Sequence, residues 1–146
     1  MKFNSSALFL LIVFFIVFMP PVTFAKEGAL QVKIERIKKQ VGQLRYQLFL
    51  CPVNKEVNWQ ELTPIQLGQL PVKQKELAFT LKTLKTGSYI VRVFQDINND
   101  QQLDYTSGGI PKEPFGFSNN PSLLMGKPMA ADVCFNYPLA EPLVIK

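Results

Sequence analysis

A regular alternation of apolar and polar residues constrains this chain more than any other feature of its sequence. In the segment ALQVKIERI, single polar residues separate Leu30, Val32 and Ile34. Successive side chains of a β-strand point to opposite faces, so this pattern predicts a strand that is buried on one side. Similar alternating segments recur along the chain. No segment long enough to form a stable helix has apolar residues at helical spacing. The alternation therefore predicts an all-β fold, an antiparallel β-sandwich of about seven short strands.

The same alternation predicts which side chains point into the core. In LRYQLFLC, we expect Leu44, Tyr46, Leu48 and Leu50 to point inward, and Gly42 before them predicts a hairpin with the first strand. The segment SYIVRVFQD has apolar residues on both faces, which favours a central strand that is partly covered on both sides. The region 52–74 contains several prolines, so we expect an irregular crossover with one weak strand and a tryptophan over the edge of the core.

The first 25 residues have the features of a secretory signal peptide. Lys2 precedes the uncharged apolar run ALFLLIVFFIVFM, and the small residues Thr23 and Ala25 stand before the expected cleavage site. An uncleaved anchor is the alternative, because the apolar run and its flank reach roughly 17 residues, the lower limit for a membrane span. We expect export to the periplasm or the extracellular space and a single mature domain at residues 26–146. Contact with the membrane would be made only through the signal peptide before cleavage.

The chain contains two cysteines, Cys51 and Cys134. In an oxidising compartment an even number of cysteines favours a disulfide, which here would require that they lie on adjacent strands or facing sheets. The alternative is two separately buried thiols that behave as small apolar side chains.

Charge and composition exclude several classes of function. The formal net charge is +5, and the lysines are scattered rather than clustered, so nucleic acid is not an expected partner. The chain has no histidine, which excludes Ser-His-Asp and Cys-His catalytic groups and the usual histidine zinc sites. A carboxylate pair for glycoside hydrolysis would have to come from one polar segment, from Asp96, Asp100, Asp104 and Glu113. We therefore expect a protein that is not an enzyme, with a small carboxylate-dependent hydrolase as the alternative.

The segment DINNDQQLD places oxygen-bearing side chains at nearly every second position, as calcium-binding loops do. The calcium ligands that this interpretation predicts are Asp96, Asn98, Asp100, Gln102 through its main-chain carbonyl, Asp104 and, from the next segment, Glu113. An EF-hand is excluded, because Gln101 and Ser107 replace its glycine and its last glutamate and no helix flanks the loop. The alternative is a polar turn, in which Asp and Asn side chains bond to their own backbone without a metal.

The next segment, GGIPKEPFGFSNNP, is a second candidate surface. Aromatic and amide side chains in a long loop could stack on and hydrogen-bond to a sugar or a peptide. The ligand-binding residues that this interpretation predicts are Phe115, Phe117, Ser118 and Asn119. Alternatively, Phe115 and Phe117 close the open end of the sandwich, while Asn119 and Asn120 hold the loop in place.

The run GSYIVRVFQDINNDQQLD, followed by GIPKEPFGFSNN, resembles a family of small exported bacterial proteins known as domain of unknown function 2141. The positions that match are Gly87, Tyr89, Asp96, Asn98, Leu103, Asp104, Gly109, Ile110, Pro111, Glu113, Gly116, Phe117, Ser118 and Asn119. Gln95 and Gln101 differ, since the family often has histidine and glycine there. The resemblance covers most of residues 28–146. It implies an immunoglobulin- or transthyretin-like sandwich and no particular activity.

These observations favour an exported, non-catalytic β-sandwich that binds a partner through residues 96–120. The partner would be an envelope protein, a glycan or a small ligand, and calcium is the one cofactor that the sequence suggests. Besides the hydrolase, the remaining alternative is a purely structural module of the cell envelope.

Overall fold

The computed structural model describes residues 28–124 and 126–146, which contain eight strands. They are β1 (Gly28–Ile34), β2 (Gln43–Leu50), β3 (Gln66–Pro71), β4 (Leu77–Leu84), β5 (Gly87–Asp96), β6 (Phe115–Phe117), β7 (Phe135–Tyr137) and β8 (Leu143–Ile145). Short 3-10 turns occur at Trp59–Glu61 and Ala130–Val133. The predicted signal peptide lies outside the described residues, and within them no helix is long and apolar enough to cross a membrane.

The strands form two sheets, which confirms the predicted all-β sandwich. The smaller sheet has the order β4–β1–β8, and the larger has the order β3–β2–β5–β6, with β7 also paired to β5. Both β6 and β7 lie along one edge of β5, where β7 pairs with residues 87–89 and β6 with residues 92–94. The β1–β8 pair is parallel, an arrangement that the alternation of residues did not predict.

The main core lies between the two sheets. The three apolar residues of β1 are buried there as predicted, together with Leu44 and Leu48 of β2, and Tyr46 is half-buried against them. The prediction for Leu50 was wrong, since this last residue of β2 is 56 % exposed. Alternation assigns a residue to a face of a strand, but it does not show how far the opposite sheet extends over that face.

A second apolar cluster covers the outer face of the larger sheet. Its buried members are Phe49, Ile90, Phe117, Ala130 and Val133. Trp59 is half-buried against this cluster, with its ring centroid 6.0 Å from that of Phe49 and 5.2 Å from that of Phe117. Strand β5 is therefore covered on both faces, as predicted for a central strand.

The predicted hairpin between β1 and β2 was wrong. Strand β1 pairs with β4 and β8, whereas β2 pairs with β3 and β5, so the connection at residues 35–42 passes from one sheet to the other. Gly42 has a φ of 72°, and a Cβ atom there would lie 2.1 Å from the carbonyl oxygen of Asp96. The glycine therefore permits a close approach of two backbone segments instead of forming a hairpin turn.

A disulfide joins Cys51 and Cys134, as predicted, with their Cα atoms 5.6 Å apart. Cys51 directly follows β2, and Cys134 stands between the turn Ala130–Val133 and β7. The bond therefore fastens part of the second apolar cluster to the end of a strand in the larger sheet.

Candidate ligand-binding cavity

Strand β5 ends at Asp96, whose carboxylate is fully buried. Its Oδ2 atom lies 2.6 Å from Nε of Arg45 on the neighbouring strand β2 and accepts a 3.0 Å hydrogen bond from the backbone N–H of Gln101. Burial by itself raises the pKa of Asp96, but the hydrogen bonds from Arg45 and Gln101 and the charge of Arg45 together lower it below its ordinary value of 3.8. The ionised carboxylate thus anchors the start of the polar loop to the sheet.

The rest of the acidic segment bonds mainly to itself. The Nδ2 atom of Asn98 donates to the carboxylates of Asp100 and Asp104, at 3.1 Å in each case. The carboxylate of Asp100 also accepts a hydrogen bond of 2.8 Å from the backbone N–H of Gln102, whose side chain is exposed. These are the contacts of a polar turn in which side chains bond to nearby groups of the same loop.

Glu113 joins this turn to the second loop segment. Its side chain is buried, and its carboxylate accepts hydrogen bonds from the backbone N–H of Ile97 at 2.6 Å and from that of Asp104 at 3.4 Å. Glu113 therefore lies beside DINNDQQLD, and its two oxygen atoms bind the two ends of that turn.

We expect Glu113→Gln to lower the free energy of unfolding by about 2 kcal/mol, because an amide has only one acceptor oxygen for the two backbone N–H groups that donate to this buried side chain. Urea denaturation of the variant and the wild-type protein measures the difference. Glu76→Gln is the matched control, since Glu76 is exposed and its side chain has no described hydrogen bond; it should change stability by less than about 0.5 kcal/mol. A stability of Glu113→Gln equal to that of the control would contradict this role.

Each carboxylate that was predicted to bind calcium accepts at least one hydrogen bond from the protein, although the buried Oδ1 atom of Asp96 has no partner within the described residues. Asp96, Asp100, Asp104 and Glu113 each accept hydrogen bonds from protein donors. Within residues 28–124 and 126–146, no group of three or more acidic, cysteine or histidine side chains is arranged to hold a metal ion. The described contacts favour the structural interpretation of this segment, and calcium binding stays a prediction.

The four predicted ligand-binding residues separate into two pairs. Ser118 is fully buried, and its hydroxyl accepts a hydrogen bond from the backbone N–H of Val91 and donates one to the carbonyl of Val133. Asn119 donates from its side chain to the carbonyl of Cys134. Both residues therefore hold the loop against the sandwich, while the two phenylalanines of β6 border a cavity.

This cavity has a volume of about 540 Å³ and lies between the outer face of β5 and β6 and the loops on either side of β6. The strands contribute Arg92, Phe94, Phe115 and Phe117, and the loops contribute Leu103, Tyr105, Ile110, Pro111, Leu123, Leu124 and Lys127. Most of these side chains are apolar, and Ile110 is 67 % exposed. An apolar cavity with a few polar groups is the usual form of a small-molecule site.

Two cations line the cavity beside the ring of Trp59. The Cζ atom of Arg92 lies 5.3 Å from the ring centroid of Trp59, and Nζ of Lys127 lies 4.8 Å from it. Burial lowers the pKa of Arg92, an effect that the nearby Tyr105 opposes. Burial also lowers the pKa of Lys127, and the charge of Arg92 lowers it further. The cavity therefore combines an apolar lining with two neighbouring positive charges.

Arg92 and Lys127 were not predicted from the sequence. A signal for Arg92 was present, because it is the one charged residue within the apolar run SYIVRVF, on the same face of β5 as Ile90 and Phe94. Lys127 carried no such signal, since it stands in a loop and meets Trp59 only in the folded chain.

The fold and the cavity define the class of this protein: a disulfide-linked β-sandwich with a cation-containing apolar cavity over the outer face of its larger sheet. The chain belongs to the bacterial family described as "Uncharacterized protein conserved in bacteria (DUF2141)", whose model matches residues 32–141. This match confirms the resemblance carried by the two loop segments. Searches of curated proteins and of solved structures found no match to this chain.

Proposed function

We propose that this protein is an exported β-sandwich that binds a small, largely apolar ligand in the cavity over β5 and β6 and catalyses no reaction. The observation that carries the proposal is the cavity, about 540 Å³ in volume and lined mostly by apolar side chains. Small-molecule sites typically have volumes of about 300–1,000 Å³ and a lining of this kind. Residues 96–120 contribute to the cavity through apolar side chains such as Leu103 and Ile110, not through their carboxylates.

Export is supported by two features of the chain. The apolar N-terminal run has the composition of a signal peptide. The Cys51–Cys134 disulfide is compatible with an oxidising compartment, where such bonds form and persist.

A binding role without catalysis is supported by the chemistry of the lining. The chain has no histidine, and the described residues that line the cavity include no carboxylate, serine or cysteine. Arg92, Tyr105 and Lys127 supply its polar side chains, and none of them is paired there with a nucleophile. The carboxylates of the predicted calcium set do not line this cavity either, so the proposal does not depend on calcium.

We expect the purified protein to bind N-phenyl-1-naphthylamine, a neutral apolar fluorescent probe, saturably and with an increase in probe emission. Trp59 is the only tryptophan of the chain, and its ring contacts Phe117 and Lys127, which line the cavity. Its intrinsic emission should therefore change over the same range of probe concentration. Absence of saturable binding would overturn the proposal and favour the structural module.

A matched pair of variants assigns the binding to this cavity. Ile110→Asp should weaken probe binding about tenfold, because it places a charge against the apolar lining. Leu67→Asp is the control, since Leu67 is 64 % exposed but lies on β3 outside the lining. An equal loss in both variants would contradict the assignment.

The alternative function, a carboxylate-dependent hydrolase, is tested with ester and glycan model substrates. Turnover of such a substrate that Glu113→Gln abolishes would favour the hydrolase over the binding protein.

A further inference from the structure

The cavity contains two cationic side chains and no anionic one. Arg92 and Lys127 line it, and none of its described lining residues is an aspartate or a glutamate. Within residues 28–124 and 126–146, the one salt bridge joins Arg45 to Asp96, so neither cavity cation has a carboxylate partner there. Two like charges in a poorly solvated site repel each other, which makes it unfavourable for both groups to be ionised. A bound anion would reduce this electrostatic repulsion.

Neutral contacts hold both cations in place. The Cζ atom of Arg92 lies 5.3 Å from the ring centroids of Phe49 and Trp59, and Nζ of Lys127 lies 4.8 Å from that of Trp59. Cation–π contacts orient a cation without cancelling its charge. The Nε atom of Arg92 donates to the neutral side chain of Gln47 at 2.7 Å. The hydrogen bonds described for Arg92 thus leave its two terminal nitrogen atoms available to a ligand.

The indole of Trp59 brings the two cations together. Its Nε1 atom donates a 2.8 Å hydrogen bond to the carbonyl of Pro128, the residue after Lys127. Lys127 is therefore held beside the aromatic ring that Arg92 also contacts, close enough for the charge of Arg92 to lower the pKa of the lysine. A carboxylate or a phosphate could bind both, because guanidinium groups favour bidentate contacts with such anions.

We infer that the cavity selects amphiphilic anions, molecules with an apolar body and a single carboxylate, sulfonate or phosphate group. The anionic group would lie between Arg92 and Lys127, and the apolar body would lie against side chains such as Phe94, Ile110 and Phe115. The inference rests on the proposed binding function and names the chemical class of its ligand.

The charge preference is tested with octanoate, 1-octanol and octylamine, which share an alkyl chain and differ in charge at neutral pH. Each is titrated against the full purified protein carrying bound N-phenyl-1-naphthylamine, and displacement of the probe gives its affinity. We expect octanoate to bind about tenfold more tightly than 1-octanol, because its carboxylate would gain one charge-assisted hydrogen bond to the cavity cations. Octylamine should bind more weakly than either, because its positive charge would be repelled by Arg92 and Lys127. Acetate, which has the charge without the chain, should not displace the probe at the same concentrations.

Two variants assign the preference to the named cations. Arg92→Gln and Lys127→Gln should each bring the ratio of the octanoate affinity to the 1-octanol affinity of the same variant close to one. Lys82→Gln, which removes an exposed lysine of β4 in the smaller sheet, is the control and should keep the full preference. Binding of 1-octanol shows that the cavity of each variant is folded, so a lost preference cannot be ascribed to unfolding.

The outcomes separate this inference from the function on which it rests. Equal affinities for octanoate and 1-octanol would overturn the anionic ligand class while the binding function stands. A full preference for octanoate in both glutamine variants would overturn the site assigned to the anion. If the neutral probe does not bind and none of the three octyl compounds changes the emission of Trp59, the inference and the binding function are overturned together.

Discussion

Asp96→Asn is expected to lower the free energy of unfolding by about 3 kcal/mol, because it removes one partner of a buried ion pair. Asparagine keeps the shape of the side chain but not the negative charge that lies 2.6 Å from Arg45. The side chain of Arg45 is 19 % exposed and would remain partly desolvated without its anion. The variant would also replace an acceptor of the backbone N–H of Gln101 by a weaker, neutral one.

The Arg45–Asp96 pair also predicts how stability depends on pH. Although burial raises the pKa of Asp96, the hydrogen bonds and charge of Arg45, with the N–H of Gln101, hold it below 3.8 in the folded protein. The unfolded chain therefore takes up this proton at a higher pH than the folded chain. The stabilisation that Asp96 contributes is fully present above the unfolded pKa and is lost as pH falls through the folded pKa. Asp96→Asn should lack this part of the acid destabilisation.

Urea denaturation at neutral pH and at several values below about pH 4 measures both effects. Asp100→Asn is the matched control, since Asp100 belongs to the same polar turn but is exposed. It should change stability by less than about 0.5 kcal/mol. Similar losses in the two variants, or the same acid destabilisation in Asp96→Asn and the wild-type protein, would show that the ion pair does not stabilise the fold.

Removal of the disulfide is the second large expected effect. The two cysteines are 83 residues apart, so the bond closes a long loop in the unfolded chain. The chain-entropy model assigns about 4 kcal/mol of stabilisation to a loop of this length. The double variant Cys51→Ala with Cys134→Ala should therefore lose about 4 kcal/mol in the free energy of unfolding. Cys134 also packs against the cluster that supports Trp59, so the affinity for octanoate should fall as well.

Urea denaturation with and without a thiol reductant tests whether the Cys51–Cys134 disulfide stabilises the fold. The reductant should lower the stability of the wild-type protein to that of the double variant and should not affect the double variant itself. An oxidised wild-type protein no more stable than the double variant would contradict the stabilising role of the bond. Mass spectrometry of the oxidised protein checks independently that Cys51 and Cys134 are joined.

Much of the fold could be predicted because the direction of side chains along a strand is a local property. The alternation in ALQVKIERI correctly placed three residues of β1 in the core, and the mixed pattern of SYIVRVFQD correctly marked β5 as central. Two other predictions were wrong, the β1–β2 hairpin, which was based on Gly42, and the burial of Leu50, which was based on alternation. Both failures concern which segment lies opposite, and a single strand carries no information about its partner.

The polar loop was predicted in part, and the cavity was not predicted. The sequence placed Glu113 beside DINNDQQLD only as a predicted calcium ligand from the next segment, whereas in the structure it accepts hydrogen bonds from the backbone of that turn. The sequence contained no sign that Asp96 would meet Arg45, or that Arg92 and Lys127 would both contact the ring of Trp59. These residues belong to separate strands and loops, and only the packing of the larger sheet brings them together.

The sequence by itself therefore determined where most strands run, which way their side chains point, which two cysteines could pair and which family the chain resembles. Tertiary structure alone decided the partners of each strand, the buried ion pair and the cavity with its two cations. The physical reason is that side-chain direction follows from the geometry of a few consecutive residues. Strand pairing, burial and cavity shape depend instead on the free energy of packing between segments that are distant along the chain.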